Sequence, residues 1–184
     1  HWGGITRFDG DTWKTYTLEQ GSGSNDIYDL FADDDGVLWA GTRVGLFSFD
    51  GQTWQPVISS GQSDQIEDTK IWDLAKSTDN ALWFLAGKGG LIRYDYEKNL
   101  LDDLSPHAAQ GIHPMSLAIT QDNHVWIGGD AWNSDDHVLL MFDGKTWKTY
   151  SGLSFSIVFD IFSAPDNTLW FGTEKGIYKY TPFD

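Results

Sequence analysis

The stretch DDDGVLWAGTRVGLFSFDGQTW, residues 33–54, decides the fold. Two Asp-Gly pairs, Asp35-Gly36 and Asp50-Gly51, bracket short alternating apolar segments on either side of Trp39. Such pairs supply the backbone freedom of tight β-hairpins. Outward from this stretch the phrase recurs: Trp39, Trp83, Trp126 and Trp170 stand 44, 43 and 44 residues apart. A period in the forties with four short strands per copy is the sequence form of a four-stranded propeller blade.

Each copy opens with a strand a, seen as IYDLFADD from Ile27, IWDLAKST from Ile71, PMSLAITQ from Pro114 and VFDIFSAP from Val158. A two-residue turn is expected at Asp35-Gly36, Asp79-Asn80, Asp122-Asn123 and Asp166-Asn167, with Gly or Asn supplying the positive φ. Strand b follows with the repeat tryptophan, always 12 residues after the first position of strand a. Strand c reads GLFSFD, GLIRYD, HVLLMFD and GIYKYT, and a second Asp-Gly turn leads to strand d at Trp54 or Trp147. Tyr28, Trp72, Met115 and Phe159 on strand a are expected to pack between blades as core.

The full phrase, Asp-x-x-Gly-x-Leu-Trp-x-Gly-Thr-x-x-Gly-Leu-x-x-Phe-Asp-Gly-x-x-Trp, resembles the two-component regulator propeller repeat across nearly the whole chain. Departures are Gly128-Gly129 in place of Gly-Thr, Leu85-Ala86 in the second copy, and Leu100 where a tryptophan is expected. The resemblance implies an extracytoplasmic propeller, periplasmic or extracellular, which reads an external signal ahead of a membrane-borne sensor kinase.

The expected fold is all-β, a β-propeller of four-stranded antiparallel blades forming one domain over residues 1–184. The repeats fall roughly at 1–19 (partial), 20–59, 60–105, 106–151 and 152–184 (partial). Counting gives four a, four b, five c and four d strands, so the expectation is a partial or unusually small propeller. Its partners would include the remainder of a larger propeller or further copies of itself.

The formal charge of −15 repels phosphate backbones and anionic membrane surfaces, which excludes nucleic acid as the expected partner. Zero cysteines removes thiolate chemistry and cysteine-based zinc sites, and suits an oxidising compartment. No apolar run approaches the ~20 residues that span a bilayer, and no signal-peptide pattern opens the sequence, so a soluble, trimmed chain without direct membrane insertion is expected.

Length variation points to one rim. The span from the strand-d position to the next repeat tryptophan is 26, 29, 26 and 23 residues, and the step from that tryptophan to the end of strand c is 11, 12, 17 and 11. The d–a and b–c connections lie at the same end of a blade, and loops freed from the length constraint are where binding residues concentrate. The insertion Gly129–His137 is the least repeat-like segment. Its Asp130, Trp132, Asn133 and His137 form the first candidate site, with Trp132 stacking on a sugar or small ligand, or the carboxylates holding Ca²⁺. The alternative is that Trp132 folds back as a lid and the carboxylates are solvated.

Asp29, Asp73 and Asp160 occupy equivalent strand-a places, with Ser116 in the other copy. They would attract a cation or basic ligand, or else accept architectural hydrogen bonds. Trp72 is a second candidate platform. His107 and His113 are a candidate pair in the third d–a loop, without the further ligands a metal needs. Arg43, Lys88 and Lys175 sit at b–c turns as a candidate basic collar or as solvating charges. The Asp-Gly-x-Thr-Trp turns at Asp9, Asp50 and Asp143 lack the extra residue of a sialidase aspartate box, and no GxSxG or SxxK offers a nucleophile. The function expected is a non-enzymatic ligand-binding or sensor module without cofactor, taking a small-molecule, glycan or protein ligand. The alternatives are a structural or protein-interaction scaffold and, second, a propeller hydrolase or lyase.

Overall fold

The computed structural model describes residues 4–18, 26–59, 69–87, 90–105, 112–131 and 138–181. The chain divides into two compact units, residues 1–74 and 75–184. Among the described residues all regular structure is β, in seventeen strands that match the four a, four b, five c and four d strands of the sequence count. In the first unit, β1 (Ile5–Phe8) pairs with β2 (Trp13–Tyr16), and β3 (Ile27–Ala32), β4 (Leu38–Thr42), β5 (Gly45–Phe49) and β6 (Trp54–Ser59) form a four-stranded sheet in chain order. β7 (Ile71–Lys76) contains the division and precedes β8 (Leu82–Ala86), β9 (Gly90–Asp95) and β10 (Leu100–Asp103) in a second such sheet. In the second unit, β11 (Ile112–Ile119), β12 (Val125–Ala131), β13 (Leu139–Phe142) and β14 (Trp147–Tyr150) form a third. β15 (Val158–Ser163), β16 (Leu169–Thr173) and β17 (Gly176–Tyr180) form a three-stranded sheet. Each of these sheets is the antiparallel meander of a propeller blade.

The a–b turns have three loop residues, not the two expected from their Asp-Gly and Asp-Asn pairs. In the first, Asp33 N–H donates to Val37 O and Gly36 N–H to Asp33 O, and Ser77, Thr120 and Ala164 repeat the pattern. Positive φ falls on one residue per turn, Gly36, Asn80, Asn123 or Asn167. This is a type I turn closed by a left-handed residue. Asparagine holds that place for a packing reason. Asn123 Oδ1 accepts from Thr78 N at 2.9 Å and Thr78 Oγ1 at 2.8 Å, and Asn167 Oδ1 accepts from Gln121 N at 2.7 Å, so these two asparagines tie down the turn of the preceding copy.

The c–d turns are two-residue loops, in which Asp9, Asp50 and Asp143 each accept from the backbone N–H groups two and three residues on and from the threonine hydroxyl. Donors converging on the ionised form hold the Asp9 and Asp143 carboxyls at about 2, and lower that of Asp50 as well.

The Gly-Thr phrase of strand b now has two separable jobs. A Cβ on Gly41 would stand 2.9 Å from Ile71 Cγ2, and one on Gly128 would stand 2.4 Å from Val158 Cγ1, so glycine admits the first residue of the next strand a. Thr42 and Thr173 clamp the b–c turn: each hydroxyl donates to the carbonyl three residues on and accepts from the N–H two residues on. Where Gly129 replaces threonine that clamp is missing, and this is the copy with the long b–c insertion.

In the second unit the core between β11–β14 and β15–β17 gathers Ala118, Trp126, Leu139, Val158, Ile161, Leu169 and Phe171, among others. Burying side chains of this size stabilises by roughly 1.5–3 kcal/mol each. In the first unit Ile5, Leu18, Ala40 and Phe47 form a smaller core with Ile27, Val44 and Trp54 against it.

Candidate functional site

The rim where strand a begins and the b–c turn lies is built by a repeated defect in the ladder. β3 pairs Ile27 with Thr42 and then Asp29 with Gly41, leaving Tyr28 as an extra residue. β11 skips Met115 and β15 skips Phe159 in the same way. A bulge bends its strand and re-aims the extra side chain. Tyr28, Met115 and Phe159 are therefore exposed, and Trp72 is half-buried, against the expectation that these four residues form interblade core. The bulge adds one residue to the strand, so at Tyr28, Met115 and Phe159 the facing no longer follows simple alternation.

In the first unit the Tyr28 ring stacks on Trp72, centroids 4.6 Å apart and planes at 30°. The Lys70 ammonium lies 6.0 Å from the Trp72 ring. Beside this pair Asp29 Oδ2 and Asp73 Oδ1 both accept from the N–H of Leu74, at 2.9 and 2.8 Å, so two of the three candidate acids share one donor. An open recess of about 390 Å³ is lined by Tyr28, Asp29 and Leu30 and by Gly4–Thr6.

In the second unit Ser116, standing where the other copies carry an acid, accepts from Ile161 N at 3.0 Å and donates to Asp160 Oδ1 at 3.3 Å. Asp29 and Ser116 thus make the same stitch, each taking the N–H that follows the next copy's acid. His113 lies on β11, not in the d–a loop where the sequence reading placed it, because the strand begins two residues before Pro114. It stands in register with Asp130 of β12, so imidazole and carboxylate share one face at the strand ends. Glu174 accepts from the N–H groups of Ser156 and Ile157 and the Ser156 hydroxyl, which holds its carboxyl at about 2.

Trp132, Asn133, His137 and His107 lie outside the described residues, as does Lys88. The other two members of the basic collar act locally: Arg43 is 3.6 Å from Asp26, and the Lys175 ammonium donates to Ser154 O. Among the described residues no group of three or more His, Asp or Glu is placed to hold a metal ion. The b–c step is a two-residue turn at Arg43-Val44 and at Glu174-Lys175.

A profile of the two component regulator propeller matches residues 21–43, the segment that contains the first bulge and the first repeat tryptophan. Residues 21–43 are similar to a two component regulator propeller repeat. The chain's fold is similar to the extracellular domain of the putative one component system BT4673 from B. thetaiotaomicron, with a TM-score of 0.77 and 17% identity over 97% of this chain and 25% of that one. It is similar also to PorZ, a surface component of the type-IX secretion system of Porphyromonas gingivalis, with a TM-score of 0.74 and 16% identity over 96% of this chain and 28% of PorZ. A streptogramin B lyase structure aligns with a TM-score of 0.64 and 17% identity over 85% of this chain and 54% of the lyase. The chain therefore spans about a quarter of the first two relatives, and at these identities the likeness establishes the propeller fold. No curated protein sequence matches the chain.

Proposed function

We propose that this chain is a sensing module of an extracytoplasmic propeller, which binds its ligand at the bulged strand ends and does not transform it. The observation that carries this reading is the exposed Tyr28 ring stacked on Trp72 beside Asp29 and Asp73. An aromatic platform next to carboxylates that already hold backbone donors binds and orients; it offers no activated nucleophile. The extracellular domain of a putative one component system among its structural relatives supports the compartment. Within the second unit, Trp132, Asn133, His137 and His107 are proposed, from sequence, as a separate ligand surface with Asp130 and His113.

Thermal-shift screening with oligosaccharides, peptides and Ca²⁺ tests the reading, since a ligand that prefers the folded state raises its stability. The expected result is a saturable rise that Tyr28→Ala weakens. Turnover of a bound compound would replace it with the lyase or hydrolase reading. A scaffold role is the second reading, and one observation favours it: Phe162, Trp170 and Ile177 on β15–β17 are exposed large apolar side chains. Capture of a protein partner that Trp170→Ala releases, with no small ligand found at the rim, would select it.

A further inference from the structure

Three turns of identical design allow an internal comparison: DGDTWK at 9–14, DGQTWQ at 50–55 and DGKTWK at 143–148. Their aspartates make the same three-bond clamp, so the scaffold is constant and only the third and sixth positions change. Those positions hold Asp11 and Lys14 in the first turn and Lys145 and Lys148 in the last. In the middle turn both are amides, Gln52 and Gln55.

This turn also borders a groove. A cavity of about 370 Å³ runs between it and the end of β2, with Thr15, Tyr16, Gln52, Thr53, Trp54 and Gln55 in its lining. Of all chain residues 21% are charged, yet none of those lining the groove is. The amide is held ready: Gln55 Nε2 donates to Thr53 Oγ1 at 3.0 Å, and Thr53 Oγ1 donates to Asp50 Oδ2 at 3.1 Å. Lys14 and Lys148 instead lie over the rings of Tyr16 and Tyr150, two residues on, at 4.6 and 4.7 Å. Val57 provides no such ring for Gln55. Below the amides, Phe49 meets the Tyr16 ring edge-on at 4.9 Å and Trp54 at 5.1 Å, which fixes both rings.

We propose that this groove, separate from the bulged rim, is a binding site for a neutral oligosaccharide. Side-chain amides and hydroxyls present donors and acceptors together, as sugar hydroxyls require, and aromatic rings take the C–H faces of a pyranose. No charged side chain lines the groove, so an ionic ligand seated there finds no direct partner in its walls. Its volume lies in the range of small-ligand sites and holds about one to two hexose units.

The test is an NMR titration of the whole chain with maltohexaose, cellohexaose and xylohexaose, and with trigalacturonate as the anionic comparator. One neutral sugar is expected to shift the side-chain amides of Gln52 and Gln55 and the amide of Thr15, saturating at or below the order of 1 mM. The variant Gln52→Lys/Gln55→Lys recreates the turn at 143–148, which this scaffold already accommodates. It should keep its circular dichroism and Tm and bind that sugar at least about tenfold more weakly. The proposal is overturned if no neutral hexasaccharide binds by about 10 mM, if the double variant binds equally well, or if trigalacturonate binds as tightly. Shifts centred on Tyr28 would also overturn it and place the sugar at the rim, whereas loss of groove binding alone leaves the rim reading intact.

Discussion

The sheet β11–β14 and the sheet β15–β17 carry the same phrase, and the same residues meet opposite fates. Trp126 is 3% exposed and Leu139 4%, while their equivalents Trp170 and Ile177 are 41% and 76% exposed. The difference is not in the sheet that bears them. Trp126 and Leu139 lie in a core supplied from the following sheet by Val158, Ile161, Leu169 and Phe171. A blade of this kind makes half of its interface, and the repeat tryptophan becomes core only where the next copy covers it.

Exchanging the tryptophans breaks the comparison most sharply. Trp126→Ala is expected to destabilise the chain by about 3–5 kcal/mol in chemical denaturation, because it leaves a cavity under a closed core. Trp170→Ala should cost about 1 kcal/mol or less, since the Lys179 ammonium lies on its ring at 5.5 Å and its face is open. Equal losses would mean that the two faces are equivalently covered in solution.

The glycines opposite the bulges give the next largest contrast. Gly128→Ala drives a methyl into Val158 and should cost about 1–3 kcal/mol. At Gly172 the nearest atoms to an added Cβ are 3.8 Å away, in Asp160, so Gly172→Ala should be close to neutral in the same measurement. Ser116→Ala leaves the Ile161 N–H without its acceptor and is expected to cost about 1–3 kcal/mol. Asp160→Ala removes a longer bond from an exposed side chain and should cost less.

The smallest effect is electrostatic. Asp143 at the c–d turn of one sheet and Glu174 at the b–c turn of the other both titrate at about 2. Folding lowers these values, so their contribution to stability is complete above the unfolded-state values near 4 and is lost as pH falls through about 2. Carbon-detected NMR titration should show Thr146→Val raising the Asp143 value while that of Glu174 stays in place. Movement of both together would show that long-range charge, and not the local clamp, sets them.

The strand count and order were legible because the repeat tryptophans and the Asp-Gly and Asp-Asn pairs are local signals of fixed spacing. The bulges were not. In each of the three bulged copies the 12-residue interval from the first residue of strand a to the tryptophan contains the extra residue, Tyr28, Met115 or Phe159, so the count never changes while the facing of the strand's first residues does. The meeting of His113 and Asp130 was open to a longer count outward from the Asp122-Asn123 turn, which reaches that pair to within the one bulged residue. The exposure of Trp170 could not be read, since burial there depends on a neighbour and not on the phrase. Most of the insertion after Gly129 lies outside the described residues, so its place at the rim rests on sequence.

The hydroxyl of Thr42, and again of Thr173, fastens its hairpin from within, binding one group inside the bend and one just beyond it. Such a latch makes loop growth a question of one side chain: a hairpin that keeps it resists extra residues, and one that exchanges it for hydrogen can lengthen without disturbing the strands on either side. The array can therefore vary what one of its ends presents while every sheet keeps its register, and each copy is able to change alone.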